Sequence, residues 1–207
     1  MSSSPTAPVA PAPAPAHATI VARVSSRGAL WVGAAWGFAE GSFFFIVPDV
    51  WLGFVALFAP RRMLITLAAI VAGAVAGATF LYFATIVRPD ELTSLILALP
   101  AIAPADLEQA RAQMQDDGAG AILPALVEGR PVKLYVHGAA LDGVGLVEVV
   151  AYTVLNRLAR LLLFGSVVAL LGWAGRSIVA HWPRAVAALY AVAWVAFYAA
   201  YLLTHQA

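Results

Sequence analysis

Long apolar runs separated by short polar segments dominate the chain, and three of them are long enough to cross a bilayer as single helices. A helix rises about 1.5 Å per residue, so a hydrocarbon core of about 30 Å requires about 20 apolar residues. The runs 63–87, 146–175 and 185–203 meet this length, and each predicts a transmembrane helix. The pattern therefore predicts an all-α polytopic membrane protein.

The apolar stretch 28–60 does not fit a simple span, because Glu40, Pro48 and Asp49 interrupt it. The apolar runs on either side are each about half the length that a transmembrane helix requires. We therefore expect a re-entrant hairpin, which enters to mid-bilayer, turns at the two acids and returns to the same side. Non-helical backbone at this depth is tolerated only where protein or a water-filled cavity surrounds it, which is typical of a transport site.

A second interrupted stretch, 121–145, repeats this design with basic residues at its turn. Gly129, Arg130 and Pro131 separate two short apolar arms, and Lys133 follows them. We predict a second re-entrant hairpin here. An ordinary loop between short helices outside the membrane fits the same spacing and stays open as the alternative.

The remaining segments are polar or low in complexity. The Ala/Pro-rich residues 1–22 predict a disordered tail, since such a composition buries too little apolar surface to fold. The acidic segment 88–120 predicts a polar linker, with a short amphipathic helix at 105–115 lying along the membrane surface. Residues 23–207 are then a single membrane domain.

The distribution of charge favours the hairpin topology. With 28–60 re-entrant, one side of the membrane holds six arginines and no acids, and the other side holds mainly acids. The positive-inside rule makes the arginine side cytoplasmic, so we predict a multi-pass protein of the inner (plasma) membrane with a cytoplasmic N-terminus. The order hairpin–span, linker, hairpin–span is that of an inverted repeat, which places a binding site at the bilayer midplane. The six arginines are Arg23, Arg27, Arg61, Arg62, Arg176 and Arg184.

Charged residues inside the membrane supply the candidate site. Arg157 and Arg160 lie near the middle of the run 146–175, one turn apart. Each charge at a helix centre costs about 2.5–3.5 kcal/mol, so both should face a cavity or a partner. We expect the acidic tip of the first hairpin to approach the basic tip of the second hairpin and these arginines; a purely structural ion pair is the alternative. The candidate substrate-binding or proton-coupling residues are Glu40, Asp49, Arg130, Lys133, Arg157 and Arg160.

Two further patterns in the spans are interpreted as packing alone. The aromatic residues of the last span, Trp194, Tyr198 and Tyr201, are ordinary for a membrane helix. In the run 63–87, small residues recur every four positions and leave a smooth face for close helix contact. They are Ala69, Gly73 and Gly77.

Composition narrows the chemistry. The chain is 62% hydrophobic and 11% charged, and it contains no cysteine, which excludes disulfides and cysteine metal sites. Its four histidines lack the spacing of metal ligands, and no nucleophile–base pair is apparent. We therefore predict no cofactor, no metal, no enzymatic activity and no nucleic-acid partner.

The two interrupted stretches resemble the DedA (SNARE-associated, or VTT-domain) membrane family, in particular its short YqaA-like branch. The resemblance lies in AEGSFFFIVPDVWL (39–52) with the glycine-rich span after it, and in GRPVKLYVHGAALDG (129–143) running into the next helix. It covers residues 28–175. It implies two opposed re-entrant hairpins and a role in moving lipids or lipid-linked phosphates across the membrane, often linked to proton motive force. The residues that match the family's functional positions are Glu40, Asp49, Lys133 and Arg157.

These patterns together predict a flippase or scramblase for an anionic lipid or lipid-linked phosphate. The carboxylates could carry protons, and the cations could hold the headgroup of a membrane lipid as the partner. Two alternatives stay open: a proton- or cation-coupled transporter of a small solute, and a non-transporting scaffold whose buried charges fix helix register. The sequence also leaves open whether copies of the chain form a homo-oligomer.

Overall fold

A computed structural model describes residues 15–204, and over this range the chain is helical, with no strand. Within it, three helical segments are long and apolar enough to cross a membrane: Pro60–Val87, Leu146–Ala174 and Pro183–Thr204. They coincide with the three runs that the sequence predicts as spans. The prediction of an all-helical chain with helices long and apolar enough to span a membrane is confirmed.

The helices follow one another with short connections. In chain order they are α1 (Ala16–Val24), α2 (Arg27–Ser42), α3 (Asp49–Phe58), α4 (Met63–Val87), α5 (Pro89–Leu97), α6 (Pro104–Asp117), α7 (Ala125–Glu128), α8 (Val132–Asp142), α9 (Leu146–Ala174), α10 (Arg176–His181) and α11 (Pro183–Thr204). Short 3-10 turns at Pro60–Arg62 and Gly118–Ile122 precede α4 and α7. The chain therefore has a break in the middle of each stretch for which the sequence predicts a hairpin.

Two segments are more ordered than the sequence predicts. Helix α1 includes residues 16–22 of the expected disordered tail, because its apolar side packs on α3 and α10: Val24 is buried in one cluster with Phe58 and Val179. Residues 1–14 of that tail lie outside the described residues. The linker 88–120 contains two helices, α5 and α6, rather than the single one at 105–115.

Helices α2 and α4 are in close backbone contact along a shared face of glycines. A β-carbon on Gly37 would collide with the carbonyl oxygen of Ile70, and one on Gly73 would collide with that of Ala34. Gly77 is in the same position against α2. Two of the three small residues that the sequence marks for packing thus lie at this contact, and α2 contributes glycines of its own.

The third predicted packing residue, Ala69, is half-buried on α4. The glycines of α2 that meet α4 recur every four residues, as they do on α4 itself. They are Gly33, Gly37 and Gly41. The reciprocal spacing lets the two backbones approach more closely than side chains would allow.

Gly73→Val should lower the free energy of unfolding by about 1–3 kcal/mol, because the added side chain overpacks the contact with α2. The matched control is Ala72→Val, which introduces the same side chain at an exposed position of α4. Denaturant unfolding in detergent measures both. Equal stability of the two variants would contradict the close contact between α2 and α4.

Helix α8 lies in the protein interior and carries Lys133 there. Every residue of 132–139 is buried. The ring nitrogens of His137 lie 2.9 Å from the hydroxyl of Thr85 on α4 and 2.9 Å from that of Thr93 on α5. These two hydrogen bonds fix α8 against its neighbours and therefore fix the position of Lys133, one turn earlier.

Candidate functional site: a charged cavity

A cavity of about 340 Å³ lies among α2, α3, α8, α9 and α11. Small-molecule sites have volumes of about 300–1,000 Å³, so this space can hold a small molecule or a headgroup. Its lining includes all six charged residues that the sequence marks as candidates. These are Glu40, Asp49, Arg130, Lys133, Arg157 and Arg160.

Two ion pairs connect the first broken stretch with α9. The carboxylate of Glu40 lies 2.5 Å from Nη2 of Arg157, and the carboxylate of Asp49 pairs with the guanidinium of Arg160. Because the arginines are three residues apart, they lie on one face of α9. The approach of the acids to these arginines, expected from the sequence, is present in the structure.

The two pairs differ in their access to water. The side chain of Arg157 is 2% exposed, whereas that of Arg160 is 31% exposed. Arg157 Nε and Glu40 Oε2 make no well-directed hydrogen bond with the described residues, although the charged groups touch. The Nε of Arg157 is therefore a buried donor without a hydrogen-bond partner among the described residues.

The position of Glu40 corrects the expected hairpin geometry. The sequence places both acids in the turn, but Glu40 lies inside α2 and Asp49 is the first residue of α3. Helix α2 continues through Ser42, whose hydroxyl donates to the carbonyl oxygen of Phe38. Residues 43–48 form the connection, so the two acids flank the turn instead of occupying it.

Lys133 binds backbone rather than a carboxylate. Its Nζ donates to the carbonyl oxygen of Phe44 at 2.5 Å, so a side chain of α8 holds the turn between α2 and α3. It is 2% exposed, and it forms no ion pair with the described residues. An ammonium without a contacting carboxylate in such a site favours entry of an anion.

Arg130 contacts polar side chains of α6 and α7. Its guanidinium lies 3.2 Å from the carboxylate of Glu128 and donates to the Oε1 of Gln113 at 3.1 Å. The lining thus holds four cations, Arg130 among them, against two carboxylates. Because Glu128 pairs with Arg130 and the two lining carboxylates pair with Arg157 and Arg160, the excess positive charge of the cavity is that of Lys133.

The predicted turn residues lie at helix ends. Pro48 precedes α3, and Pro131 precedes α8, where the fixed φ of proline suits a helix start. Gly129 follows α7 with φ of 74°, in the left-handed region that glycine adopts without strain. All three therefore shape the two breaks in the helices.

Residues of α11 that sequence reasoning treated as ordinary aromatics also line the cavity. Trp194, Tyr198 and Tyr201 lie there together with Phe197, and Phe45 faces them from the turn after α2. The signal available in the sequence is their spacing of three and four residues, which puts them on one helical face. We name this set the aromatic wall: Phe45, Trp194, Phe197, Tyr198 and Tyr201.

The fold and the cavity define an α-helical membrane protein with an internal site of excess positive charge. No family model matches the chain, and neither does any curated protein or solved structure. The resemblance to the DedA family therefore stays a prediction.

Proposed function

We propose that the protein is a DedA-like flippase or scramblase that moves an anionic lipid, or a lipid-linked phosphate, across the membrane. The observation that carries the proposal is the convergence of four cations and two carboxylates on one cavity among apolar helices. Arginine can bind a phosphate through two parallel hydrogen bonds, and lysine binds it as a point charge. A headgroup phosphate would find both kinds of donor here.

Part of the proposal is that α2 and α3 form a re-entrant hairpin. Helix α2 has 16 residues and α3 has 10, which gives lengths of about 24 Å and about 15 Å, each short of a hydrocarbon core of about 30 Å. Val24, before α2, lies in one buried cluster with Phe58 and Ala59, at the end of α3. The nearness of the two ends supports entry and exit on the same side.

The second part is that α7 and α8 form an opposed hairpin, so that the chain is an inverted repeat. Support comes from the burial of α8 and from the contact of Lys133 with the turn of the first hairpin. Inverted repeats bring broken helices together at the midplane, where the binding site lies. Cytoplasmic placement of the N-terminus in the inner membrane belongs to the same proposal.

In the proposed cycle, the headgroup exchanges with protein groups inside the cavity. An entering phosphate takes the place of Phe44 at Lys133 and competes with Asp49 for Arg160. Protonation of Glu40 or Asp49 would weaken its hold on arginine and favour this exchange, which is how a proton gradient could be coupled to lipid movement.

Two other functions have an observation in their favour. Both carboxylates are already paired with arginine, which suits a non-transporting scaffold whose charges fix the packing of α9. The cavity volume of about 340 Å³ also suits a small soluble anion carried by a coupled transporter.

Reconstitution in vesicles that contain a labelled anionic phospholipid tests the proposal, with Lys133→Met as the informative variant. We expect the wild-type chain to move the label between leaflets and Lys133→Met to do so at least about 10-fold more slowly, because a hydrogen bond to a charged group contributes about 1.5–3 kcal/mol. The matched control is Arg88→Met, which removes an exposed cation that pairs with Glu91.

The outcomes separate the candidates. Wild-type vesicles that leave the label in place while a pH gradient drives uptake of a soluble anion would identify a solute transporter. Wild-type vesicles that move neither the lipid nor a soluble anion would favour the scaffold. Wild-type rates in a correctly folded Lys133→Met chain would refute the role of this lysine while leaving lipid movement intact.

A further inference from the structure

We infer that the aromatic wall is a binding site for the hydrocarbon chain of an anionic lipid whose headgroup occupies the ionic half of the same cavity. The inference rests on the proposed function and extends it, since it assigns the two ends of the ligand to two sets of residues. The ionic half is defined by Glu40, Asp49, Lys133, Arg157 and Arg160.

The rings of the aromatic wall form a nearly continuous surface. Trp194 and Tyr198 stack with centroids 5.9 Å apart, and Phe197 and Tyr201 stack at 6.3 Å. Phe45 meets the ring of Tyr198 edge-on at 6.0 Å. Such a surface contributes a large apolar area with few polar atoms, which suits a hydrocarbon chain better than a hydrated ion.

Helix α11 separates the cavity from the exterior that faces the bilayer. Its aromatic residues line the cavity, and aliphatic residues elsewhere on the helix are more exposed than the ring of Phe197: Leu189, Val192 and Val195. No residue in the most apolar part of α11 is buried within the protein. Phe197 of the aromatic wall is itself 54% exposed, so a chain lying on the wall is close to the exterior of the protein.

Two tyrosine hydroxyls of α11 hydrogen-bond to the backbone on either side of Asp49 and so hold the aromatic wall next to the ionic half. The backbone N–H of Val47 donates to the hydroxyl of Tyr198 at 2.8 Å, and the hydroxyl of Tyr190 donates to the carbonyl oxygen of Val50 at 2.9 Å. Asp49 lies between these two attachment points. A ligand that pairs with Arg160 beside Asp49 would thus have its next atoms against the wall.

The charge of the lining selects the kind of amphiphile. In the ionic half three cations face two carboxylates, so an anionic head is favoured over a neutral or cationic one. The aromatic wall then requires a chain on that head, which a free phosphate lacks. The combination fits an anionic membrane lipid.

Photocrosslinking of the full chain in lipid nanodiscs tests this assignment. The probes are phosphatidylglycerol and phosphatidylcholine, each with a diazirine in one acyl chain and each present as a minor component in unlabelled phosphatidylcholine. Mass spectrometry locates the adducts. We expect adducts on the aromatic wall to be severalfold more abundant with phosphatidylglycerol, and adducts on the exposed side of α11, at Leu189, Val192 and Val195, to be equally abundant with both lipids.

Two variants refine the assignment. Lys133→Met should remove the preference for phosphatidylglycerol at the wall and leave the exposed side of α11 unchanged. The double variant Trp194→Ala/Phe197→Ala should lower the wall adducts severalfold, whereas Val192→Ala on the exposed side should not. Wall adducts that are absent in the wild-type chain, or equal for the two lipids, would overturn the inference.

Crosslinking in nanodiscs and lipid movement in vesicles together distinguish failure of this inference from failure of the proposed function. Phosphatidylglycerol adducts on the wall without any lipid movement in vesicles would uphold the binding site and refute the flippase. Lipid movement without such adducts would uphold the flippase and refute the aromatic wall as the site of the chain.

Discussion

Replacing Arg157 by methionine should destabilise the protein by about 3–5 kcal/mol, because the Glu40 carboxylate would stay buried without its cation. Glu40 is 4% exposed, so water solvates its carboxylate poorly once the arginine is gone. Glu40→Gln/Arg157→Met should recover most of the loss, since no unpaired buried charge remains. Unfolding of the wild-type, two single-variant and double-variant chains in detergent completes a double-mutant cycle for the pair.

The cycle also separates a structural role of the pair from a role in transport. If the proposed function holds, the double variant folds but fails to move lipid. If the charges serve only as a scaffold, it keeps wild-type function. Arg160→Met is the matched comparison. Its loss of stability should be smaller, because the Asp49–Arg160 ion pair is partly exposed and water reaches it. A double variant as unstable as Arg157→Met would contradict the expected compensation.

The transmembrane helices could be predicted because their signal is local. Length and apolar character of a run decide whether it can span, and both are visible in the sequence. Helix α4 begins and ends where the run 63–87 does, and α9 and α11 differ from their predicted bounds by one or two residues. The end of α2 was harder to place, because its continuation to Ser42 depends on contact with α4.

The members of the charged cluster could be predicted, but their pairing could not. A charge inside a membrane requires a partner or a cavity, which was sufficient to single out Arg157 and Arg160. The partner of each depends on how α2 and α3 pack against α9, and no local pattern encodes this. The same limitation applies to Lys133, whose partner is a carbonyl oxygen 89 positions away in the chain.

The aromatic wall was missed for a different reason. Aromatic residues are common in membrane helices, so their presence in α11 carries little information. Their spacing shows that they share a face, yet only the tertiary structure shows that this face borders the cavity. The glycines of α2 are a similar case, since Gly33, Gly37 and Gly41 acquire their meaning from the glycines of α4.

Single cysteines at Ser26 and Arg61 should react with a membrane-impermeant thiol reagent from the same side of the membrane, and a cysteine at Asp116 should react from the opposite side. All three positions are exposed, and the chain has no native cysteine that would add background. We expect Ser26 and Arg61 on the same side because neither α2 nor α3 is long enough to cross the membrane alone. The start of α2 and the end of α3 also lie beside one buried cluster.

The labelling result would also decide whether the inverted repeat exists and where the ion pairs lie in the membrane. If Ser26→Cys and Arg61→Cys react from opposite sides, residues 28–60 cross the membrane, and Arg61 and Arg62 join the acidic side against the positive-inside rule. The first hairpin would then be wrong, and with it the inverted repeat. If they react from the same side, Glu40 and Asp49 lie at the inner end of a hairpin. The ion pairs with Arg157 and Arg160 would then join the tip of that hairpin to the middle of a spanning helix, where an alternating-access site is expected.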